Sequence, residues 1–174
     1  MRLFFAMLLL LSGSCCFAQD YLNTTMAQAR QRLGDSCTVE KTDKQDWLLK
    51  CNGLYHFLSF KQMTEAQKDT GQYTCGYEAM EIAASDLTAF KKQLKKRYPD
   101  FGKKIDKEGV VIPPIPTVHY TADSTTTYEE AQLVQGISYV FSGIEMQIAQ
   151  TDARGIKSDK LCLVTFLLLP DFMR

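Results

Sequence analysis

The chain has 174 residues and carries 20 basic and 20 acidic side chains, a formal net charge of zero. Such a balance argues against a dedicated nucleic-acid binder, which needs a strongly basic surface. The length suits one domain able to bury a core of its own.

The chain opens with Arg2, an almost unbroken apolar run from Leu3 to Leu11, and then the small residues Ser12, Gly13 and Ser14. That order predicts a secretory signal peptide over residues 1–18, cut between Ala18 and Gln19 because Cys16 and Ala18 put small residues at both recognition positions. The run is shorter than the roughly 20 apolar residues that span a bilayer, and no later stretch supplies them, so no transmembrane segment is expected. The alternative is a bacterial lipid anchor in which Cys15 or Cys16 becomes the lipidated first residue. It is disfavoured because Ser12 stands three residues before Cys15, where lipoprotein signals carry an aliphatic residue. Residues 19–174 then read as a single exported domain, periplasmic or secreted.

Past the cut, Thr25 followed three residues later by Gln28 is a capping-box pattern, and Gly34 is a stop signal, so Met26 to Leu33 is expected to be a short helix. Strands follow over Ser36 to Thr42, Asp46 to Asn52 and Leu54 to Lys61, the last entered through a turn at Asn52 and Gly53. The polar stretch "QMTEAQKDTGQ" reads as a loop. Tyr73 to Met80 reads as a fourth strand, on the alternation of Tyr73, Cys75 and Tyr77. In "SDLTAFKKQLKKRYPDFG", Leu87, Phe90, Leu94 and Tyr98 form one apolar helical stripe, with Ser85 as a cap and Pro99 as the end. The proline-bearing stretch "GVVIPPIPTVHYTADSTTT" is expected to be a crossing segment with a short strand at each end. "GIEMQIAQ" alternates as a half-buried strand, and "KLCLVTFLLLP", apolar on both faces, reads as a central one. The sequence shows no convincing internal repeat.

Removing the signal leaves Cys37, Cys51, Cys75 and Cys162, an even number that suggests a disulfide framework in an exported chain. The first two strands, paired about the turn "DKQD", place Cys37 nearly opposite Cys51. The expected bridges are therefore Cys37 with Cys51 and, by remainder, Cys75 with Cys162. No cysteines stand at C-x-x-C spacing and neither histidine, His56 or His119, adjoins one, so neither a metal nor another cofactor is expected.

Candidate binding residues fall in two groups. Lys92, Lys95 and Lys96 lie opposite the apolar stripe of the long helix and offer a positive face to an anionic surface; the plainer reading is a solvated helix back. Tyr55 and Phe57 belong to a set of sheet aromatics that includes Trp47, Tyr77, Tyr139 and Phe141. Such residues either build the core or, standing on an exposed face, anchor a protein partner. No residue is assigned a catalytic role: no G-x-S-x-G or H-E-x-x-H motif occurs, and neither histidine has a partner in sequence to orient it as a base. Close acidic pairs such as Glu78 and Glu81 are too common to imply a glycosidase, and the scattered glycines form no phosphate loop.

"TMAQARQRLGDSC", followed by "WLLKC" and "YHFLSFK", resembles the helix-then-meander unit of small bacterial envelope proteins of the SmpA/OmlA type and of β-lactamase inhibitory proteins. The resemblance covers about residues 24–61. It implies a protein-binding sheet without catalysis and transfers no individual residue. The sequence as a whole points to an α+β fold, mainly antiparallel sheet with one or two packed helices. The expected function is non-enzymatic binding of another envelope or secreted protein. The alternatives are an inhibitor or immunity protein for a secreted enzyme, and a hydrolase without a recognisable motif.

Overall fold

The structure of the chain, a computed structural model, describes residues 21–33, 35, 37–42, 44–103, 105, 107–111, 115 and 135–169. The expected signal peptide, the alternative lipid anchor, His119 and most of the proline-bearing segment lie outside these residues. The described chain is mostly β. Eight strands form one antiparallel sheet: β1 (Cys37–Thr42), β2 (Asp46–Cys51), β3 (Leu54–Lys61), β4 (Thr74–Ala83), β5 (Lys107–Val111), β6 (Gln135–Phe141), β7 (Ile144–Ala149) and β8 (Leu161–Leu168). Their spatial order is β1-β2-β3-β4-β8-β7-β6-β5. Three helices accompany them: α1 (Met26–Arg32), α2 (Glu65–Thr70) and α3 (Leu87–Arg97).

The local signals act as their chemistry requires. Thr25 Oγ1 accepts the Gln28 N–H while Gln28 Oε1 accepts the Thr25 N–H, so the first orphan donors of α1 are satisfied reciprocally. The stretch expected as a loop contains α2, built on the same device: Thr64 caps Gln67, and Gly71 closes the helix in the left-handed region at φ 66°. The expected Ser85 cap is absent. Ser85 belongs to a 3-10 turn, Ala84–Asp86, and its hydroxyl donates to Asp86. β4 runs three residues past the expected end, through Ala83, because Glu81, Ile82 and Ala83 pair with β8.

The topology contains a repeat that the sequence hides. A helix followed by a four-stranded meander occurs twice, as α1 with β1–β4 and α3 with β5–β8, and the two meanders meet along their last strands, β4 and β8. In each half the second and third strands are joined by two residues at positive φ, Asn52-Gly53 and Ser142-Gly143. That is the left-handed turn whose twist suits a tight hairpin.

One face of the sheet carries the main core. Over the second half, Phe90 and Leu94 of α3 and Phe101 pack on Met80, Ile82, Tyr139, Phe141, Met146, Val164 and Phe166. Over the first half, Tyr21 and Ala29 pack on Trp47, Leu49, Leu58, Phe60 and Cys75. Asp100 fastens the end of α3 to the β6–β7 turn, accepting from the Ser142 hydroxyl and N–H, each at 2.8 Å. Those bonds, the hydroxyl's foremost, with Lys103 nearby, hold its carboxyl below the ordinary carboxylate value. The clamp therefore contributes stability above the unfolded-state pKa and loses it as pH falls through the lower folded value. Ser142→Ala is expected to flatten the acid limb of a plot of thermal midpoint against pH; an unchanged limb would show that the clamp is not linked to folding.

Cys37 and Cys51 are disulfide-bonded and directly opposed in the β1–β2 ladder. The expected Cys75–Cys162 bridge is not formed; both are buried free thiols. The β4–β8 register explains this. Cys162 pairs with Ile82, seven residues along β4 from Cys75, a separation of about 23 Å at about 3.3 Å per residue. A disulfide needs Cα atoms within about 7 Å. Burial pushes both thiols up, strongly for Cys75, which leaves them poor nucleophiles.

Candidate functional site

The sheet has a second face, opposite α1 and α3, and this is where side chains remain available for contact. Cross-strand register places Ser59, Tyr77, Leu167, Glu145 and Val140 in one row over β3, β4, β8, β7 and β6. Leu167 is 37% exposed and Val140 40%, although both stand on strands with neighbours on each side. Between them Glu145 is held: its Oε1 accepts from the Ser138 hydroxyl at 3.1 Å and from Gln147 Nε2 at 2.8 Å. Its other oxygen takes no hydrogen bond among the described residues, on the sheet face opposite α1 and α3. Tyr77 closes the row, packed edge-on against Phe57 with ring centroids 6.1 Å apart. Burial raises its hydroxyl to about 12, so it stays a neutral donor.

The same face is closed further along. The loop after β7 folds over it, with Ala153 and Ile115 packed on Leu48, Phe57, Ala79, Ala149 and Leu163. Glu81 ties this cover down, its two carboxylate oxygens accepting the N–H groups of Ala153 at 2.6 Å and Tyr55 at 2.8 Å. The loop is braced internally by Asp152, which accepts from the N–H groups of Arg154 and Ile156 and from the Arg154 guanidinium.

This cover corrects one sequence expectation. Phe57 is a core residue, 5% exposed under the loop, and is not available to a partner. Tyr55 is half-buried, with the Lys50 ammonium 5.4 Å from its ring centre. Lys92, Lys95 and Lys96 are exposed on α3, as their helical spacing requires. The lysines thus point away from the sheet on one side of the molecule, while the open row lies on the other.

His56 and Glu78, which no sequence motif joins, meet on the core face. Nε2 of His56 lies 2.7 Å from Oε1 of Glu78, and the Tyr21 ring packs edge-on against the imidazole at 5.4 Å. A histidine beside a carboxylate is the geometry a general base needs, but here His56 is 6% exposed and Glu78 fully buried. A substrate atom has no way to approach within hydrogen-bond reach. Glu78 and Glu81, neighbours in sequence, lie on opposite faces of β4, with His56 and with the loop respectively, so they form no carboxylate pair. Among the described residues, no three His, Cys, Asp or Glu side chains gather as a metal site, and no helix is long and apolar enough to cross a membrane.

Sequence reasoning missed the Leu167–Glu145–Val140 row. The alternation in "GIEMQIAQ" did put Glu145 and Gln147 on the outward face. Leu167 had no signal, because a strand apolar on both sides reads as buried throughout. No family model, curated protein or solved structure matches the chain.

Proposed function

We propose that residues 19–174 form one exported α+β domain that binds another envelope or secreted protein without catalysing a reaction, through the face of its sheet opposite α1 and α3. The observation that carries this reading is the row itself: two exposed aliphatic side chains flank a hydrogen-bonded, half-buried carboxylate on three adjacent strands. A rigid backbone lowers the entropic cost of association; the exposed aliphatic groups give a partner apolar area to bury, and the held carboxylate fixes its register. The complementary surface is one that places a lysine or arginine between apolar groups. The resemblance of residues 24–61 to small envelope proteins, which implies a protein-binding sheet, supports the same reading. The disulfide fits an oxidising compartment outside the cytoplasm.

The test is affinity capture from the source organism's envelope and culture fluid with the wild type and a Leu167→Asp/Val140→Asp variant. Both substitutions lie at exposed positions, so the variant should keep the wild-type circular dichroism spectrum and unfold cooperatively. A partner retained stoichiometrically by the wild type and lost by the variant is the expected result; a partner held equally by both places the interface elsewhere. If that partner is a secreted enzyme whose activity falls on binding, the protein is an inhibitor or immunity protein.

A further inference from the structure

We propose that the outward face of α3 docks the protein on an anionic phospholipid surface. The eleven residues of α3 contain Lys91, Lys92, Lys95, Lys96 and Arg97 and no acidic residue. Lys91 and Arg97 are used within the fold: the Lys91 ammonium lies 3.3 Å from the Tyr139 hydroxyl, and the Arg97 guanidinium stands over the Tyr98 ring. Lys92, Lys95 and Lys96 are exposed and have no partner among the described residues.

The chain's own solvated helix supplies the comparison. In α2 the exposed Lys68 is paired with Glu65 one turn earlier, at 2.6 Å. In α3 the lysines repel one another instead, Lys92 with Lys95 at three residues and with Lys96 at four, spacings at which like charges destabilise a helix. The carbonyl end of the helix offsets part of this for Lys95 and Lys96. The remainder has no counterweight among the described residues, and a negatively charged surface provides one.

The kind of surface follows from the side chains. Lysine ammonium groups are mobile point charges that do not enforce the bidentate geometry of arginine on a carboxylate or phosphate. An array of them on one helix face suits a plane of spread negative charge, as anionic headgroups present. The segment from α3 to β5 adds exposed Lys103 and Lys107, with Asp106 and Glu108 in the same stretch, and between the lysines Ile105 at 48% exposure; an exposed apolar side chain beside lysines is a feature of interfacial membrane segments. Because α3 and the Leu167–Glu145–Val140 row lie on opposite sides of the sheet, a protein resting on α3 holds that row toward the aqueous phase.

The probe is phosphatidylcholine vesicles with and without phosphatidylglycerol, and the protein is the chain from Gln19, which contains every described element. Wild type should sediment with the anionic vesicles at low salt, leave them at high salt and ignore the neutral ones. Each lysine near such a surface contributes about fivefold to binding, so Lys92→Gln/Lys95→Gln/Lys96→Gln should weaken it about a hundredfold. That variant should also melt no lower than wild type, because repulsion has been removed. A charge-matched variant on other surfaces, Lys61→Gln/Lys157→Gln/Lys160→Gln, should bind as wild type does. Equal losses in the two triple variants, no loss in the first, no wild-type binding, or retention on soluble heparin but not on vesicles would each overturn the proposal. The Leu167→Asp/Val140→Asp variant should keep vesicle binding, which separates this inference from the sheet-face reading.

Discussion

Replacing His56 alone by leucine is expected to lower the unfolding free energy by about 3 kcal/mol, the usual effect of leaving a buried polar group without its hydrogen-bond partner. Glu78 is fully buried, and of its two oxygens only Oε1 has a partner, the His56 ring; Oε2 has none in the described structure. Taking the histidine away strands the whole carboxyl group between Leu58 and Phe166 on the adjoining strands. Replacing His56 and Glu78 together by leucine removes both polar groups and should restore most of the loss, since an apolar pair of similar volume needs no hydrogen bonds. Urea unfolding of the two single variants and the double variant closes the cycle. A double variant as unstable as the sum of the singles would show that the two residues do not act as a pair. The pair sits where Tyr21 packs on the sheet, so it ties the N-terminal segment to β3 and β4.

Breaking the Cys37–Cys51 bond with Cys37→Ala/Cys51→Ala is expected to destabilise the fold by about 3 kcal/mol, the loop-closure effect for a sequence separation of 14. For a domain of this size that is a fall of about 6–12 °C in thermal midpoint. Among the described strands β1 pairs only with β2 and lies at the edge of the sheet, so the loss should be visible first as faster amide exchange in β1, while β4 and β8 exchange as before. Wild type in reductant should behave as the double variant does. A midpoint unchanged by reduction would mean that β1 is held by its ladder alone and that the fold is indifferent to redox compartment.

The two proposed surfaces use the fold differently. On the helix side, α3 gives its apolar stripe to the core and has only charge left to offer. On the open side, the sheet offers rigid, spaced side chains with one fixed carboxylate. A domain built this way can rest on one surface and engage a protein with the other, and neither contact requires a moving part.

Much of the local structure was legible in the sequence because it is set by short-range chemistry. The Thr25–Gln28 capping box, the Asn52-Gly53 turn, the apolar spacing of Leu87, Phe90 and Leu94, and the opposition of Cys37 and Cys51 all depend on residues close along the chain. The short helix α2 was legible in principle through Thr64, Gln67 and Gly71, but its polar residues hid it. What the tertiary structure alone decided is which faces meet. Only the β4–β8 register separates Cys75 from Cys162, brings the two hidden meander repeats together and completes the Tyr77–Leu167–Glu145 row. Only the fold of the loop after β7 turns Phe57 from a surface aromatic into core, and only the β3–β4 ladder places Glu78 under His56. In each case the partners are far apart in sequence, and a period of two says that a side chain faces one side of a sheet without saying what lies there.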